Sequence, residues 1–279
     1  MSMAAAPTPR GSRTGRNLPV AVAVGVVLAA LVLGTLYTVP EFFVALVVLA
    51  VAVAAHEIYT ALKTGGIHVP LVPLVTGSTV MLIAAYADGA DALAVAFSLT
   101  LVAMFASRSA MPGAETLLRD LVVGTYVVVY LPLLASFAMV MLSEPDGSDR
   151  IVVFILAVVL SDTGGYTAGV LFGRHKLSPT VSPKKSWEGL GGSFLFAMVG
   201  TALSVPLLLG GFWWQGFLLG AVVVVTATMG DLSESLLKRD LGIKDMGHLL
   251  PEHGGLMDRL DSLLPTAPVV AVLLAAAIG

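Results

Sequence analysis

Apolar residues are gathered in long runs along the chain, and polar residues collect in the segments between them. A membrane-spanning helix needs about 20 mostly apolar residues. Nine runs approach or reach that length: 18–39, 42–62, 69–86, 92–106, 121–142, 151–172, 189–209, 213–230 and 263–278. Strands of a β-barrel would alternate apolar and polar positions, which these runs do not do. The pattern predicts an all-α, polytopic integral membrane protein of about nine transmembrane helices.

Basic residues are unevenly divided between the two sides that alternating spans define. Cytoplasmic loops carry an excess of Lys and Arg. Arg10, Arg13 and Arg16 precede the first run, so the N-terminus is predicted to be cytoplasmic. From that start, every Lys and Arg except Arg150 falls on the cytoplasmic side. This partition favours nine spans with the C-terminus outside.

The chain changes character at about residue 150. Residues 1–17, rich in Ala, Pro, Arg and Gly, are predicted to form a disordered cytoplasmic tail. A cleaved signal peptide is the alternative, because a basic start precedes an apolar run. Residues 18–150 hold spans 1–5, with polar residues mostly in loops. In 151–279, which holds spans 6–9, ionisable and Gly-rich segments enter the spans and two cytoplasmic loops. Catalysis is expected in this second region.

Composition narrows the class of protein further. Of the 279 residues, 57% are hydrophobic and 12% are charged, whereas a soluble domain carries roughly 25% charged residues. A soluble enzyme and a disordered protein are therefore excluded. The chain has no Cys, which excludes disulfides, thiol nucleophiles and Cys-ligated metals. The net charge of -3 gives no indication of nucleic-acid binding.

A charged residue lies midway along the sixth predicted span. Asp162 stands in the segment 161–166, SDTGGY. An aspartate at the centre of a bilayer costs about 2.5 to 3.5 kcal/mol on insertion scales, which favours a functional role for Asp162. Gly165, Gly169 and Gly173 have the four-residue spacing of helix–helix contacts, which favours packing.

The loop after the sixth span is basic and rich in hydroxyl groups. It contains Lys184, Lys185 and Ser186 and leads directly into the seventh span. Lysine charge, hydroxyl donors and a helix N-terminus are groups that bind phosphate. The alternative is an ordinary positive-inside loop that touches anionic lipid headgroups. Composition alone leaves both open.

The eighth span ends in a polar segment. If this segment is helical, a spacing of three and four residues places four side chains on one face: Asp231, Glu234, Ser235 and Lys238. A carboxylate at the end of an apolar span, followed by a hydroxyl and cations, suits a metal–phosphate site at the cytoplasmic boundary. A capping and snorkelling cluster is the alternative.

Two aspartates follow in the next loop. On a helix, Asp258 and Asp261 would lie on one side, three residues apart. Mg²⁺ commonly takes one or two carboxylates plus substrate phosphates, so the pair, with Lys and Arg nearby, suggests metal-assisted phosphoryl chemistry. His253 is expected to contact phosphate or to be structural, because hard cations prefer oxygen ligands.

His56 and Glu57, near the end of the second span, begin a pattern typical of zinc proteases. The pattern fails, because position 60 is Thr where a second His is required. The two residues are therefore interpreted as a pair at a membrane boundary. The Walker A pattern of nucleotide-binding loops is also absent from the sequence.

The segment 235–261 resembles the signature of the phosphatidate cytidylyltransferases, also called CDP-diacylglycerol synthases. It contains SLLKR, KDMG and LPEHGGLMDRLD in that order, at 235–239, 244–247 and 250–261. The segments 161–166 and 182–189 (SPKKSWEG) resemble upstream motifs of the same family, with Gly165 in place of an expected Ala. The first 150 residues match the family only as hydrophobic spans.

The resemblance implies that CTP and phosphatidate react to give CDP-diacylglycerol and pyrophosphate. It further implies Mg²⁺, a second cation such as K⁺, a homodimer, and a multi-pass protein of the cell membrane whose active site faces the cytoplasm among membrane lipids. The chemical difficulty is to bring two anions together. Metal ions and basic side chains are expected to offset that repulsion and to stabilise the leaving pyrophosphate.

The candidate site residues combine the motifs with the resemblance. The expected catalytic residues are Asp231, Asp258 and Lys185, and the expected metal ligands are Asp231, Asp258, Asp261 and Asp162. The expected substrate-binding residues are Lys184, Lys185, Ser186, Ser235, Lys238, Arg239, Lys244, His253 and Arg259.

Two other classes of membrane protein are alternatives. A CDP-alcohol phosphotransferase also uses Mg²⁺ and aspartates, but its run of Asp-Gly, Ala-Arg and two further Asp does not occur in the sequence. A transporter would suit an intramembrane Asp162 and Gly-interrupted helices. However, the sequence shows no repeated half, and its polar residues collect on the cytoplasmic side, so the synthase is favoured.

Overall fold

The computed structural model describes residues 18–247 and 255–278, which are mainly helical. The helices are α1 (Leu18–Thr38), α2 (Pro40–Thr64), α3 (Leu71–Ser109), α4 (Leu117–Val128), α5 (Leu134–Leu142), α6 (Gly147–Phe172), α7 (Trp187–Leu209), α8 (Trp213–Asp240), α9 (Met257–Leu260) and α10 (Leu263–Ile278). A π-helical turn at Val129–Leu133, which contains Pro132, joins α4 to α5. A short hairpin of β1 (Lys176–Ser178) and antiparallel β2 (Ser182–Ser186) replaces part of the predicted loop before α7.

The described helices have the length and composition of membrane spans. Seven stretches qualify within the described chain: Pro40–Thr64, Leu71–Ser109, Leu117–Leu142, Gly147–Phe172, Trp187–Leu209, Trp213–Asp240 and Met257–Ile278. Gly25–Thr38 is a shorter apolar helix. Large apolar side chains such as Leu118 and Leu207 are exposed on the outside of these helices, as contact with lipid requires. The prediction of a helical, polytopic membrane protein is confirmed.

The longest helix, α3, is folded back on itself. Its 39 residues would reach about 58 Å if straight, roughly twice the hydrocarbon thickness of a bilayer. The backbone leaves the helical region at Asp88 and Gly89, where Gly89 has a φ of 69° that glycine adopts without steric cost. A β-carbon at Gly77 would collide with the side chain of Thr100. The two arms of α3 therefore lie side by side, in the places of the third and fourth predicted spans.

A buried ion pair joins the end of α3 to the start of α4. Arg108 is only 1% exposed, and its Nε and Nη2 atoms donate to Oδ2 of Asp120 at 2.9 and 2.8 Å. The hydroxyl of Thr116 donates to the same oxygen at 2.9 Å. The pattern of basic residues predicted only that Arg108 belongs to a cytoplasmic loop. In the structure its buried side chain instead connects α3 to α4 through Asp120.

The hydrophobic core lies between the helices of both halves of the chain. Its fully buried members include Ile58 of α2, Leu74 of α3, Met139 of α5, Ile151 of α6 and Val270 of α10. Helices before and after residue 150 thus share one core. This shared core holds α2 against the C-terminal segment that carries most of the predicted site.

Candidate active site

A polar pocket opens between α6, the β-hairpin, α7 and α8. Its volume is about 280 Å³. The polar residues that line it include Ser161, Asp162, Lys184, Lys185, Ser186 and Asp231. Three segments that the sequence singled out separately therefore meet at one place. The pocket reaches from the level of a membrane span to the loop that carries the lysines.

Glycines bring α6 and α7 close together at the wall of this pocket. A β-carbon at Gly164 would collide with the carbonyl oxygen of Gly192, and one at Gly189 would lie 2.9 Å from the carbonyl oxygen of Gly165. Ser193 Oγ donates to the carbonyl oxygen of Ser161 at 2.7 Å across the same contact. The packing interpretation is confirmed for Gly165 and Gly169, whose β-carbons would lie 2.5 Å from Ser193 Oγ and 3.8 Å from Gly189 Cα, and both glycines also border the pocket.

The base of the β-hairpin is fixed to the start of α7. Ser186 is the N-cap of α7, and its hydroxyl accepts a hydrogen bond from the backbone N–H of Gly189 at 3.1 Å. Glu188 accepts hydrogen bonds from the backbone N–H of Arg174 at 3.1 Å and from Nδ1 of His175 at 2.6 Å. These contacts give β2 a fixed position, because its last residue is also the helix cap.

Lys185 reaches from β2 across the pocket to α8. Its ammonium group forms an ion pair with Oδ2 of Asp231. Both side chains are about a quarter exposed, at 27% and 28%, so a ligand in the pocket can reach them. Lys184 is exposed beside it. The pair places a cation and a carboxylate, both predicted to be catalytic, in direct contact.

The polar end of α8 is helical, as the spacing argument required. α8 continues to Asp240, beyond the predicted end of the eighth span at residue 230. Ser235 Oγ donates to Oδ1 of Asp231 at 3.4 Å. Lys238 Nζ lies 3.2 Å from Oε1 of Glu234, one turn away. The predicted shared face therefore exists, and its charges are paired along the helix.

The carboxylate of Asp258 accepts hydrogen bonds from three groups. Lys238 Nζ donates to its Oδ1 at 2.8 Å. The backbone N–H groups of Met246 and Gly255 donate to its Oδ2 at 3.0 and 2.8 Å. The side chain is buried, with Asp258 8% exposed. Asp258 thus ties α8, the segment after α8 and the start of α9 into one unit.

Glu57 of α2 contacts the same unit from the other half of the chain. Its Oε1 and Oε2 accept hydrogen bonds from the backbone N–H groups of Leu256 and Met257, at 3.1 and 2.9 Å. Sequence reasoning assigned Glu57 only to a membrane boundary and therefore missed this contact. The failed zinc-protease pattern gave no signal for it, and neither did the spacing of the later motifs.

Further carboxylates surround the end of α8. Asp162, Asp231 and Asp261 are near enough to interact electrostatically with one another. Asp261 Oδ1 accepts from its neighbouring backbone N–H, that of Ser262, at 2.6 Å. Glu234 is fully buried, and the ammonium group of Lys238 lies 3.2 Å from its Oε1. This concentration of negative charge suits a cation.

In residues 18–247 and 255–278, no three His, Asp or Glu side chains are arranged as a set that could hold a metal ion. One or two carboxylates with substrate phosphates remain a suitable arrangement for Mg²⁺, which commonly binds proteins in that way.

Three predicted substrate-binding residues, Arg239, Lys244 and Arg259, have exposed side chains. Arg239 and Lys244 are exposed, and neither makes an ion pair with another described residue. Arg259 is exposed on α9 and interacts electrostatically with Asp162. The prediction for His253 lies outside the described residues.

The arrangement is suited to binding a polyanion at a membrane boundary. Lys184 and Lys185 supply positive charge on one side of the pocket, and Ser186 supplies a hydroxyl at a helix N-terminus. The carboxylates at the opposite side give sites for a cation. Cations on a phosphate group and preorganised donors together stabilise the charge that develops when a phosphoryl bond breaks.

Comparison with known proteins identifies the class of enzyme. The model of the cytidylyltransferase family matches residues 19–277, almost the whole chain. The chain belongs to the cytidylyltransferase family. It is accordingly a nucleotidyltransferase, and an enzyme rather than a transporter.

Three proteins that are similar in sequence to this chain carry the same name. A protein of Mycobacterium leprae named phosphatidate cytidylyltransferase is 44% identical over 278 residues, covering 94% of this chain and 89% of that protein. One of Mycobacterium bovis with the same name is 39% identical, covering 96% of this chain and 92% of that protein. One of Pseudomonas aeruginosa, also so named, is 42% identical over 55% of this chain and 57% of its own length. The resemblance that the motifs indicated is confirmed.

Proposed function

We propose that the protein is a phosphatidate cytidylyltransferase. A phosphate oxygen of phosphatidate attacks the α-phosphorus of CTP and forms a new P–O bond. The bond from that phosphorus to the oxygen bridging to the β-phosphate breaks, and pyrophosphate leaves. The products are CDP-diacylglycerol and pyrophosphate. The nucleophile is already ionised, so the reaction requires no strong general base.

The observation that carries the proposal is the meeting of Lys184, Lys185, Asp162 and Asp231 in one pocket beside membrane-spanning helices. One substrate is a lipid, which explains a pocket walled by α6 and α7. The other is a soluble polyanion, which explains lysines on a hairpin outside the apolar part of these helices. The names of the similar proteins agree with this pair of substrates.

Each group of side chains has a proposed task. Lys184, Lys185 and Ser186 hold phosphate groups and offset the repulsion between the two anionic substrates. Lys238 keeps Asp258 in position through their hydrogen bond of 2.8 Å. The other substrate-binding candidates from the sequence, Ser235, Arg239, Lys244, His253 and Arg259, stay proposals for contacts with the same phosphates.

Mg²⁺ is the proposed cofactor, with Asp231 and Asp258 as its ligands and Asp261 and Asp162 as further candidates. The fit rests on the cluster of carboxylates, of which Asp162 and Asp231 line the pocket. A divalent cation bound there would stabilise negative charge on the phosphates. K⁺ is proposed as a second cation. If Asp231→Asn and Asp258→Asn both keep near wild-type turnover at saturating Mg²⁺, the assignment of ligands is wrong.

The first experiment measures pyrophosphate release by purified protein in detergent. The mixtures contain phosphatidate, Mg²⁺, K⁺ and one of CTP, ATP or GTP, and mass spectrometry follows CDP-diacylglycerol. Release with CTP alone, accompanied by CDP-diacylglycerol, is the expected result. Release without phosphatidate would point to a hydrolase. No release with any nucleotide from folded protein would contradict the proposal.

The topology is also part of the proposal. We infer nine spans, counting α1 and both arms of α3, in the cell membrane with the N-terminus and the active site in the cytoplasm. Because the chain has no Cys, one introduced Cys can be labelled without background. Asp88→Cys should react with an impermeant maleimide from outside intact cells, and Asp240→Cys only after the membrane is opened. The opposite labelling pattern would contradict this orientation.

A homodimer is the proposed oligomeric state. The resemblance to the family implies it. The mass of the protein in lipid nanodiscs would decide, because one chain has a mass of 28.8 kDa. A mass of two chains is expected, and a mass of one chain would contradict the proposal.

A further inference from the structure

Glu57 lies outside every motif from which the active site was predicted, yet its carboxylate contacts the backbone next to Asp258. We infer that Glu57 is a positioning residue for the reaction: its carboxylate fixes the backbone that leads into Asp258. The inference rests on the function proposed above.

The two carboxylate oxygens of Glu57 have separate donors. Oε1 accepts from Leu256 at 3.1 Å and Oε2 from Met257 at 2.9 Å. These donors are consecutive backbone N–H groups, and the next residue is Asp258. Hydrogen bonds to an ionised acceptor are roughly twice as strong as neutral ones. Glu57 is only 8% exposed, so water competes little for the contact.

Two glycines, Gly247 and Gly255, leave room for this carboxylate. A β-carbon at Gly247 would collide with the carboxylate of Glu57. A β-carbon at Gly255 would lie 2.7 Å from Oε2 of Glu57 and 3.0 Å from Oδ2 of Asp258. The backbone can approach both carboxylates only because these positions lack side chains. Gly255 is therefore held between Glu57 and Asp258.

The bonds of Glu57 and those of Asp258 form one connected network. Gly255 donates its N–H to Asp258, and the next two residues donate theirs to Glu57. Asp258 in turn holds Lys238 of α8. A shift of the backbone at 256–257 would therefore move Asp258 and Lys238 together. A misplacement of about 1 Å at a reacting group can lower a rate about 100-fold.

Glu41 provides a matched control on the same helix. It lies in the first turn of α2, at the opposite end from the site, and its Oε1 accepts a hydrogen bond of 3.3 Å from the hydroxyl of Tyr86. Glu41→Gln changes charge and hydrogen bonding in the same way as Glu57→Gln. Among the residues that the structure describes, Glu41 forms no hydrogen bond or ion pair with residues 255–258.

The test compares turnover per folded molecule for the wild type, Glu57→Gln, Glu57→Asp and Glu41→Gln. The Gln amide keeps one acceptor and turns an NH₂ group towards a backbone donor, whereas Asp keeps the charge but is one methylene shorter. We expect both Glu57 variants to lose kcat by about tenfold or more. The KM for CTP should stay within about twofold, since positioning of Asp258 acts on the reacting geometry. Glu41→Gln should match the wild type.

Several outcomes would overturn the inference. Wild-type kcat in both Glu57 variants would do so, as would a raised KM with kcat unchanged. Loss of folded protein in both Glu57 variants, with Glu41→Gln folded, would show that the contact serves folding alone. A wild type that makes no CDP-diacylglycerol would refute the proposed function, and that result is distinct from a loss confined to the variants.

A second pair of variants tests the contact independently. Gly247→Ala should lower kcat in the wild-type background, because the new methyl group displaces the carboxylate of Glu57. In a Glu57→Ala background the same substitution has room and should cause little further loss. Equal losses in the two backgrounds would show that Glu57 and Gly247 act separately and would contradict the inference.

Discussion

Lys238 donates a hydrogen bond of 2.8 Å to Oδ1 of Asp258 and lies 3.2 Å from Oε1 of Glu234. One cation thus bridges a carboxylate one turn away on its own helix and another on α9. Asp258 uses its second oxygen for two backbone N–H groups. The end of α8 and the start of α9 are therefore held together by one network of hydrogen bonds and ion pairs.

Asp258→Asn should lower kcat by at least about 100-fold. The amide removes the negative charge and turns an NH₂ group towards groups that are themselves donors, namely Lys238 or the N–H groups of Met246 and Gly255. The measurement is CTP-dependent pyrophosphate release at saturating Mg²⁺. Asp240→Asn is the matched control, because Asp240 is exposed at the end of α8. Near wild-type turnover in Asp258→Asn would contradict a role for this carboxylate.

Lys185→Ala should reduce kcat/KM for CTP by about 10- to 100-fold. The substitution removes positive charge from the pocket and leaves Asp231 without its ion-pair partner. Steady-state kinetics with each substrate varied in turn would measure the effect. Lys176→Ala is the control, since Lys176 is an exposed residue of β1 in the same hairpin. If Lys185→Ala leaves kcat and both KM values unchanged, the lysines of this loop serve only membrane topology.

Two adjacent glycines of α7 should respond to alanine in opposite ways. Gly192→Ala would collide with the carbonyl oxygen of Gly164, whereas Gly191→Ala meets no atom within 4 Å. We expect Gly192→Ala to destabilise the protein by about 1 to 3 kcal/mol. Gly191→Ala should be neutral or stabilising by roughly 0.5 to 1 kcal/mol, because alanine favours a helix interior. Thermal unfolding in detergent measures both, and equal shifts would contradict the close contact of α6 and α7.

Arg108→Met should destabilise the protein by up to about 3 kcal/mol, because the buried Asp120 loses its closest cation and keeps only the longer contacts with Arg119 at 3.5 Å and His68 at 3.7 Å. The double variant Arg108→Met/Asp120→Leu removes both charges and should recover most of that loss. Chemical unfolding of the two variants beside the wild type provides the test. A double variant no more stable than Arg108→Met would show that the carboxylate is not the cause.

The membrane architecture could be predicted from the sequence because lipid imposes a simple rule. Every backbone polar group in hydrocarbon must be paired within its own helix or barrel, so long apolar runs indicate helices. The fold-back of α3 was indicated by the weak apolar character near 88–91, which left two shorter runs. The β-hairpin at 176–186 was not predicted. Its residues are polar, and its short strands carry no alternation strong enough to identify them.

The candidate site was predictable as a set of segments, and the contacts between segments were not. Spacing of three and four residues placed the polar groups of α8 on one face, since helix geometry alone determines that. The ion pair of Lys185 with Asp231, by contrast, depends on how α7 and α8 pack. The contact of Glu57 with Met257 joins residues 200 positions apart. No local pattern in one sequence carries information on such a pair.

α8 is one continuous helix that carries Asp231 and Lys238 near its C-terminal end and two tryptophans at its N-terminal end. Its 28 residues, without a proline, rise about 42 Å, which exceeds the roughly 30 Å of bilayer hydrocarbon. Exposed Trp213 and Trp214 occupy its first turn, where indole rings favour the interface. Tilting is one way in which a helix accommodates a thinner or thicker bilayer, and a tilt of α8 would carry Asp231 and Lys238 with it. We therefore expect turnover to vary with the acyl-chain length of the surrounding lipid.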